Sequence, residues 1–260
     1  MSGAAASTPS ADEMVSATPE LAVVVPVRNE ADNVLPLIEE IHQALAGGPD
    51  FEVVYVDDGS TDATGDRLAE ARRRYPRLRI VRHRTACGQS QAVATGIRHA
   101  RAPMIATLDG DGQNDPADIP ALLERWRAAP ENMRSRLLIA GWRAKRRDTV
   151  WRRLASRAAN AIRSRLLGDD TPDTGCGTKL FPRDLFLDLP RFDHMHRFLP
   201  ALVLRAGGQV ESVAVNHRPR ERGRSKYGNL RRAVVGVPDL LGVMWLMRRA
   251  TNPVIEITDP

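Results

Sequence analysis

Asp109, Gly110, Asp111, Gly112 and Gln113 follow one another directly behind the apolar run 104–108. Side chains alternate between faces along a strand, and two glycines allow a tight turn in which Asp109, Asp111 and Gln113 converge on one point. Carboxylate and carboxamide oxygens around a point are ligands for a hard cation such as Mg²⁺ or Mn²⁺, of the sort that holds a diphosphate. The competing reading is a plain acidic turn closing a strand. A calcium loop of the EF-hand type fits worse, because Asn114 and Pro120 stand where that loop needs its glycine and its last carboxylate. The glycines suggest a loose turn that gains order on binding.

The surrounding elements decide between these readings. Residues 21–27 (LAVVVPV) form an unbroken apolar run, the mark of a strand buried on both faces, and Asn29 and Glu30 follow it. An amphipathic segment over 32–45 stops at Gly47-Gly48. A second buried strand, 51–56, ends in Asp57-Asp58-Gly59-Ser60-Thr61-Asp62 and leads into a helix ending near Arg74. Residues 78–82 give a third strand, Cys87-Gly88-Gln89-Ser90 opens a helix, 104–108 is the fourth strand, and 116–128 is helical. Strands alternating with helices of this length describe a parallel sheet with βαβ crossovers, in which ligands sit beyond the carboxyl ends of the strands. All of these acidic and glycine-rich turns fall on that edge.

Past residue 129 the pattern loosens. A fifth strand is expected over 137–142, a glycine-rich turn into a strand over 174–181, helices over 184–189 and 195–205, and a last strand over 210–215. Between Trp142 and Gly168 there are nine Lys/Arg against one Asp, with apolar residues at helical spacing. That segment reads either as a solvated helix or as one lying on an anionic membrane surface. The basic run from Arg218 through Lys226 and the apolar helical segment 230–249 close the pattern.

The chain has 260 residues, 42% of them hydrophobic and 27% charged, with a formal charge of +6. It is a globular protein whose basic surface suits nucleic acid, anionic lipid or phosphorylated small molecules. Two cysteines, Cys87 and Cys176, make no disulfide framework and fit a reducing compartment. The longest apolar stretch, 233–247, is broken by Pro238 and Asp239, so no transmembrane helix is expected.

Four motifs in order resemble family-2 glycosyltransferases of GT-A fold, and within them the polyprenyl-phosphate sugar synthases. They are Val-Pro-Val-Arg-Asn-Glu at 25–30, Val-Asp-Asp-Gly-Ser-Thr-Asp at 56–62, Asp-Gly-Asp-Gly-Gln at 109–113, and Arg220 with Gly223-Arg224-Ser225-Lys226-Tyr227. The resemblance covers roughly residues 21–246. It implies an α/β fold: a Rossmann-like, mostly parallel sheet with flanking helices, plus a C-terminal amphipathic helical segment. The expected organisation is a disordered leader over 1–18, the GT-A domain over 19–228, and a membrane-associating or oligomerising segment with its tail over 229–260. The family more often has Ala and Leu where this chain has Gly110 and Gly112.

The resemblance also implies roles. Pro26, Arg28, Glu30 and Asp58 contact the nucleoside end of a nucleotide-sugar; Asp109, Gly110 and Asp111 lie by the diphosphate; and Asp111 with Gln113, joined by Asp109, holds Mg²⁺ or Mn²⁺. Arg143 meets a phosphate, while Arg220 and Lys226 close over the diphosphate, making Asp111, Arg220 and Lys226 the expected catalytic groups. The expected reaction is metal-dependent, inverting sugar transfer from a nucleotide-sugar to a polyprenyl phosphate. It would occur at the inner face of the membrane, by a peripheral cytoplasmic protein lying on anionic lipid, with a homo-oligomer also open. A phosphate acceptor is already largely a dianion near neutral pH and needs no general base. A hydroxyl acceptor needs one, and Asp173 is then the candidate. The rivals are a GT-A enzyme acting on a glycan hydroxyl, a nucleotidyltransferase, and a nucleic-acid-binding protein. The nucleotidyltransferase lacks its Gly-rich basic loop after the first strand, and aromatic content of 5% offers nucleic acid no stacking platform.

Overall fold

The computed structural model describes residues 18–144, 163–220 and 229–251, with the side chains of 229–235 outside the description. The expected leader, apart from Thr18, therefore lies outside the described residues, as do Lys226 and the middle of the basic stretch.

In chain order the elements are β1 (Leu21–Val27), α1 (Ala31–Ala44), β2 (Phe51–Asp58), α2 (Thr64–Arg74), β3 (Leu78–His83), α3 (Gln89–His99), β4 (Met104–Thr107), α4 (Ile119–Ala128) and α5 (Glu131–Arg134). Then follow β5 (Leu137–Trp142), β6 (Lys179–Pro182), α6 (Arg183–Leu187), α7 (Leu199–Arg205), β7 (Gln209–Ala214) and α8 (Asn229–Arg248). Among the described residues the strands form one sheet in the order β3-β2-β1-β4-β6-β5-β7. All pairings are parallel except those of β6, which runs antiparallel to both β4 and β5.

The unbroken apolar strands are buried on both faces, as their composition requires. Alternate residues divide between two cores: Leu21, Val23, Val25 and Val27 pack with α1 residues Val34, Leu37, Ile38 and Ile41. Ala22 and Val24 face the opposite way, into a cluster with Ala92, Val93 and Ile97 of α3. Helices α1 and α3 thus lie on opposite faces, and the order turns back at β1, between β2 and β4. A crevice at the carboxyl ends of the strands is the consequence of that reversal.

Helix α8 packs beside α7, adding Val243 to the second core with Leu240, Met244, Leu246 and Met247 against it. Its other side exposes Val237, Leu241 and Trp245, each about 60% accessible and spaced four residues apart. No helix of the described residues is long and apolar enough to cross a membrane.

Candidate active site

Three loops leave the carboxyl ends of β1, β2 and β4 side by side, since Val27 is in register with Asp57 and Val24 with Thr107. The first two are laced together. Asn29, in a left-handed conformation (φ 52°), donates its N–H to Ser60 Oγ (3.0 Å) and accepts from Thr61 N–H (2.8 Å). Asn and Asp tolerate that conformation better than most residues. Glu30 N–H donates to Thr64 Oγ1 (3.0 Å), and the Glu30 carboxylate accepts from Asn33 Nδ2 (2.8 Å). Pro26 lies near the end of β1, and Arg28 is exposed just beyond it.

The adjacent aspartates of β2 have different tasks. Asp57 is fully buried and accepts from Ser60 N–H (2.9 Å), fixing the turn. Asp58 faces the loop after β3, accepting from His83 Nδ1 (2.7 Å), Cys87 N–H (2.7 Å) and Gly88 N–H (2.8 Å). Burial works to raise the Asp58 pKa, but these hydrogen bonds hold it below the ordinary carboxylate range.

The acidic turn is tied down by the chain's own bonds rather than loose. Asp109 N–H donates to Asn114 Oδ1 (2.9 Å), Gln113 N–H to Asp111 Oδ1 (3.1 Å), and Arg218 N–H to the Gln113 carbonyl (3.0 Å). Gly110 is needed for a close approach: a Cβ there would stand 2.3 Å from Val27 Cγ1 and 2.8 Å from the Pro26 carbonyl oxygen. Gly112 has a φ of +72°, the left-handed region. Glycine at 110 thus follows from how the turn seats on β1 and glycine at 112 from its left-handed backbone, and the turn's own hydrogen bonds count against the expectation of a loose turn.

Asp109 accepts from Gln89 Nε2 (2.8 Å) at the start of α3. Asp111 Oδ2 accepts from Arg220 Nη2 (2.6 Å), and Arg220 Nη1 stands 3.6 Å from Glu30 Oε1. So β1, β4 and the chain after β7 meet at one carboxylate. Arg143 is clamped by Asp173 through both oxygens, Nε at 2.6 Å and Nη2 at 2.9 Å, with the Arg143 N–H on the same carboxylate. Behind them Lys179 is buried, its Nζ donating to the Cys176 carbonyl, and burial pushes its pKa down. The structure therefore brings Glu30, Asp109, Asp111, Gln113 and Arg220 to one edge, with Arg143 and Asp173 beneath them.

Asp173, the expected base for a hydroxyl acceptor, is bonded through both oxygens to Arg143 and so orients that guanidinium. Lys179, Gln89, His83 and Cys87 do not stand out as site residues in the sequence. The Cys87-Gly88-Gln89 stretch carries a usable signal, because it too follows a strand of the same edge.

The donor set fits a divalent cation. Burial first, and then the neighbouring Asp111 charge, raise the Asp109 pKa to about 6 against the opposing pull of Lys179, Arg143 and Gln89. Two carboxylates crowded in this way are relieved by a hard cation bound between them, while the Gln113 amide nitrogen donates to the Arg218 carbonyl (3.4 Å). The shift also predicts a pH dependence. Between about pH 4 and 6 the folded chain holds a proton that the unfolded chain has released, so this carboxyl makes stability fall as pH rises through that window. In EDTA, the melting temperature of the wild type minus that of Asp109→Asn should decline across the window, and divalent-cation affinity should weaken below its upper end. A difference that stays flat contradicts the shift.

A mostly parallel sheet with an acidic turn and facing arginines on its carboxyl edge has the form of a GT-A glycosyltransferase. The family model described as Glycosyl transferase family 2 matches residues 22–189. The dodecaprenyl-phosphate galacturonate synthase of Rhizobium johnstonii is 39% identical over 242 residues, covering 90% of this chain and 69% of that protein. An undecaprenyl-phosphate 4-deoxy-4-formamido-L-arabinose transferase of Edwardsiella ictaluri is 33% identical over 212 residues, 80% of this chain and 63% of its own length. The chain thus spans about two thirds of these relatives' length. The fold is shared with a mannosyltransferase of Pyrobaculum calidifontis in complex with GDP-Man and Mn²⁺, at TM-score 0.60 and 21% identity, covering 92% of this chain and 67% of that one. The chain belongs to glycosyl transferase family 2 and is a glycosyltransferase.

Proposed function

We propose that the chain transfers a sugar from a nucleoside-diphosphate sugar to a polyprenyl phosphate. The observation that carries the choice of acceptor is the state of Asp173. A hydroxyl acceptor needs a general base, and the carboxylate expected for that role is engaged through both oxygens with Arg143. A phosphate monoester needs no such base. Arg143, held in orientation by Asp173, suits a phosphate partner, and the polyprenyl-phosphate acceptors named for the two relatives agree with it.

Glu30, Asp58, Arg28 and Pro26 border the nucleoside end of the crevice. Asp109, Asp111 and Gln113 would hold Mg²⁺ or Mn²⁺, which as a Lewis acid stabilises charge developing on the diphosphate leaving group. Arg220 adds a cation at the same place and orients through Asp111 and Glu30; Lys226, from the same basic run, is assigned to it by sequence alone. The exposed Val237, Leu241 and Trp245 stripe, with Arg248 and Arg249 at its end, is read as the side turned to the lipid that carries the acceptor. That reading places the protein peripherally at the membrane and treats residues 229–260 as its membrane-associating segment.

The test is transfer of radiolabelled sugar from nucleotide-sugars to undecaprenyl phosphate, followed by organic extraction, with and without EDTA. Label should enter the organic phase only when acceptor and divalent cation are both present. Label that stays in the aqueous phase overturns the lipid acceptor, and transfer indifferent to EDTA overturns the cation.

A further inference from the structure

A second set of cation ligands lies at the other end of the crevice, and its chemistry differs from that of the acidic turn. Asp58 from β2, His83 from β3 and Cys87 from the loop before α3 each present a ligand atom within 4.8 Å of the other two. Asp58 is buried, His83 half-buried and Cys87 exposed, so the group opens to solvent through its sulfur. Mg²⁺ avoids such a set, whereas thiolate, imidazole and carboxylate together suit Zn²⁺.

We propose that Asp58, His83 and Cys87 form a binding site for a thiophilic divalent cation, Zn²⁺ in the first instance, that opposes binding of the nucleoside diphosphate.

The geometry needs little movement. Zinc at its usual bond lengths places N, O and S ligands about 3.3–3.6 Å apart. The His83 Nδ1 to Asp58 Oδ1 distance of 2.7 Å has to open by roughly 0.6–0.8 Å on that scale. Cys87 Sγ belongs to an exposed loop residue; it leaves the Thr85 carbonyl, 3.3 Å away, and closes in from the solvent side. On binding, the Cys87 thiol gives up its proton to solvent, and the imidazole carries its proton on Nε2. Thr95 Oγ1 stands 3.0 Å from Nε2 and accepts there, the outer-shell partner that a metal-bound histidine ordinarily has. Gly88 N–H remains on Asp58 Oδ2 (2.8 Å), fixing the second oxygen of the carboxylate. Three protein ligands leave a fourth tetrahedral position for water.

The effect on the donor rests on the proposed function, in which Asp58 is an acceptor for the nucleoside. A cation on Asp58 removes that acceptor. It also pins Cys87 and Gly88, the two residues immediately before Gln89, which holds Asp109 at the diphosphate end. One short loop therefore ties the soft site to the hard one.

The experiment titrates the reduced, metal-free full chain with Co²⁺ and follows the thiolate-to-cobalt charge-transfer absorption, then displaces Co²⁺ with Zn²⁺. Wild type should show the band at one equivalent. Since changing an outer-shell group alone costs about 10–100-fold in affinity, Cys87→Ser should lose the band and bind Zn²⁺ at least about 100-fold more weakly. Asp111→Asn, altered at the other site, should retain it. A wild type without the band, or a Cys87→Ser protein that keeps it, overturns the site. The second arm measures Mg²⁺-UDP and Mg²⁺-GDP binding with and without Zn²⁺. Whichever nucleotide binds should be weakened by Zn²⁺ in wild type and not in Cys87→Ser; binding unchanged by Zn²⁺ in wild type overturns the antagonism. Failure of the donor reading shows separately, as no nucleotide binding in the absence of Zn²⁺, with the cobalt band unaffected.

Discussion

Asp111→Asn should lower kcat by about 10²–10³-fold, the range seen when one preorganised electrostatic partner of a developing charge is removed. The substitution keeps the shape of the turn, because the asparagine oxygen still accepts from Gln113 N–H, now 3.1 Å from Asp111 Oδ1. What disappears is the charge that faces Arg220 at 2.6 Å and contributes to any cation held with Asp109. Among the described residues Arg220 then keeps Glu30, at 3.6 Å, to orient it. Fold stability in EDTA should change little, since the lost Arg220 contact is offset by removal of the charge that repels Asp109. The check is steady-state turnover over a Mn²⁺ titration, with the melting temperature measured beside it. Turnover that returns to the wild-type level at saturating Mn²⁺ would confine Asp111 to cation affinity; wild-type turnover at all concentrations would remove it from the site.

The strands and the edge on which the site sits are readable because a strand buried on both faces must be a continuous apolar run. Residues 21–27 and 137–142 are the observed β1 and β5 to the residue. The carboxyl-edge turns follow from the alternation of strands and helices alone. The order of the strands does not, since pairing joins segments far apart in sequence: Met104 of β4 meets Pro182 of an antiparallel β6. The partnership of Arg143 with Asp173 is hidden for the same reason, since they stand 30 positions apart with much of the basic stretch between them. An aspartate before Thr-Gly gives no sign in the sequence of the guanidinium that it holds. Lys179 escapes notice as one charge within an apolar tetrad, KLFP, although a buried lysine against an acidic turn is what keeps the Asp109 pKa from rising further. The glycines of the acidic turn are visible, but their cause is not. Only the position of Pro26 and Val27 against Gly110 explains why no side chain fits there.

Two glycine substitutions at this site should fail in different ways. A methyl group at Gly110 meets Val27 Cγ1 at 2.3 Å and the Pro26 carbonyl oxygen at 2.8 Å, both on a buried strand that cannot step aside. Overpacking of this kind costs about 1–3 kcal/mol. For a domain of this size each of those kcal/mol lowers the melting temperature by roughly 2–4 °C. A methyl group at Gly177 meets the Asp109 carboxyl, at 2.3 Å from Oδ2, 2.4 Å from Cγ and 2.7 Å from Oδ1. The Gly177 backbone is held by Thr107, whose hydroxyl donates to its carbonyl at 2.6 Å, so it is the carboxyl that must turn away, breaking its 2.8 Å bond from Gln89. Gly177→Ala should therefore melt close to wild type while turnover and Mn²⁺ affinity each fall by about 10²-fold, the cost of losing one aligned electrostatic group. Gly110→Ala should lose stability first, with the surviving folded protein impaired through the shifted turn. If Gly177→Ala instead unfolds early and retains its Mn²⁺ affinity, Asp109 is a packing group; if it melts normally and loses the cation, the carboxyl is held in place for the cation's sake, at the cost of its own raised pKa.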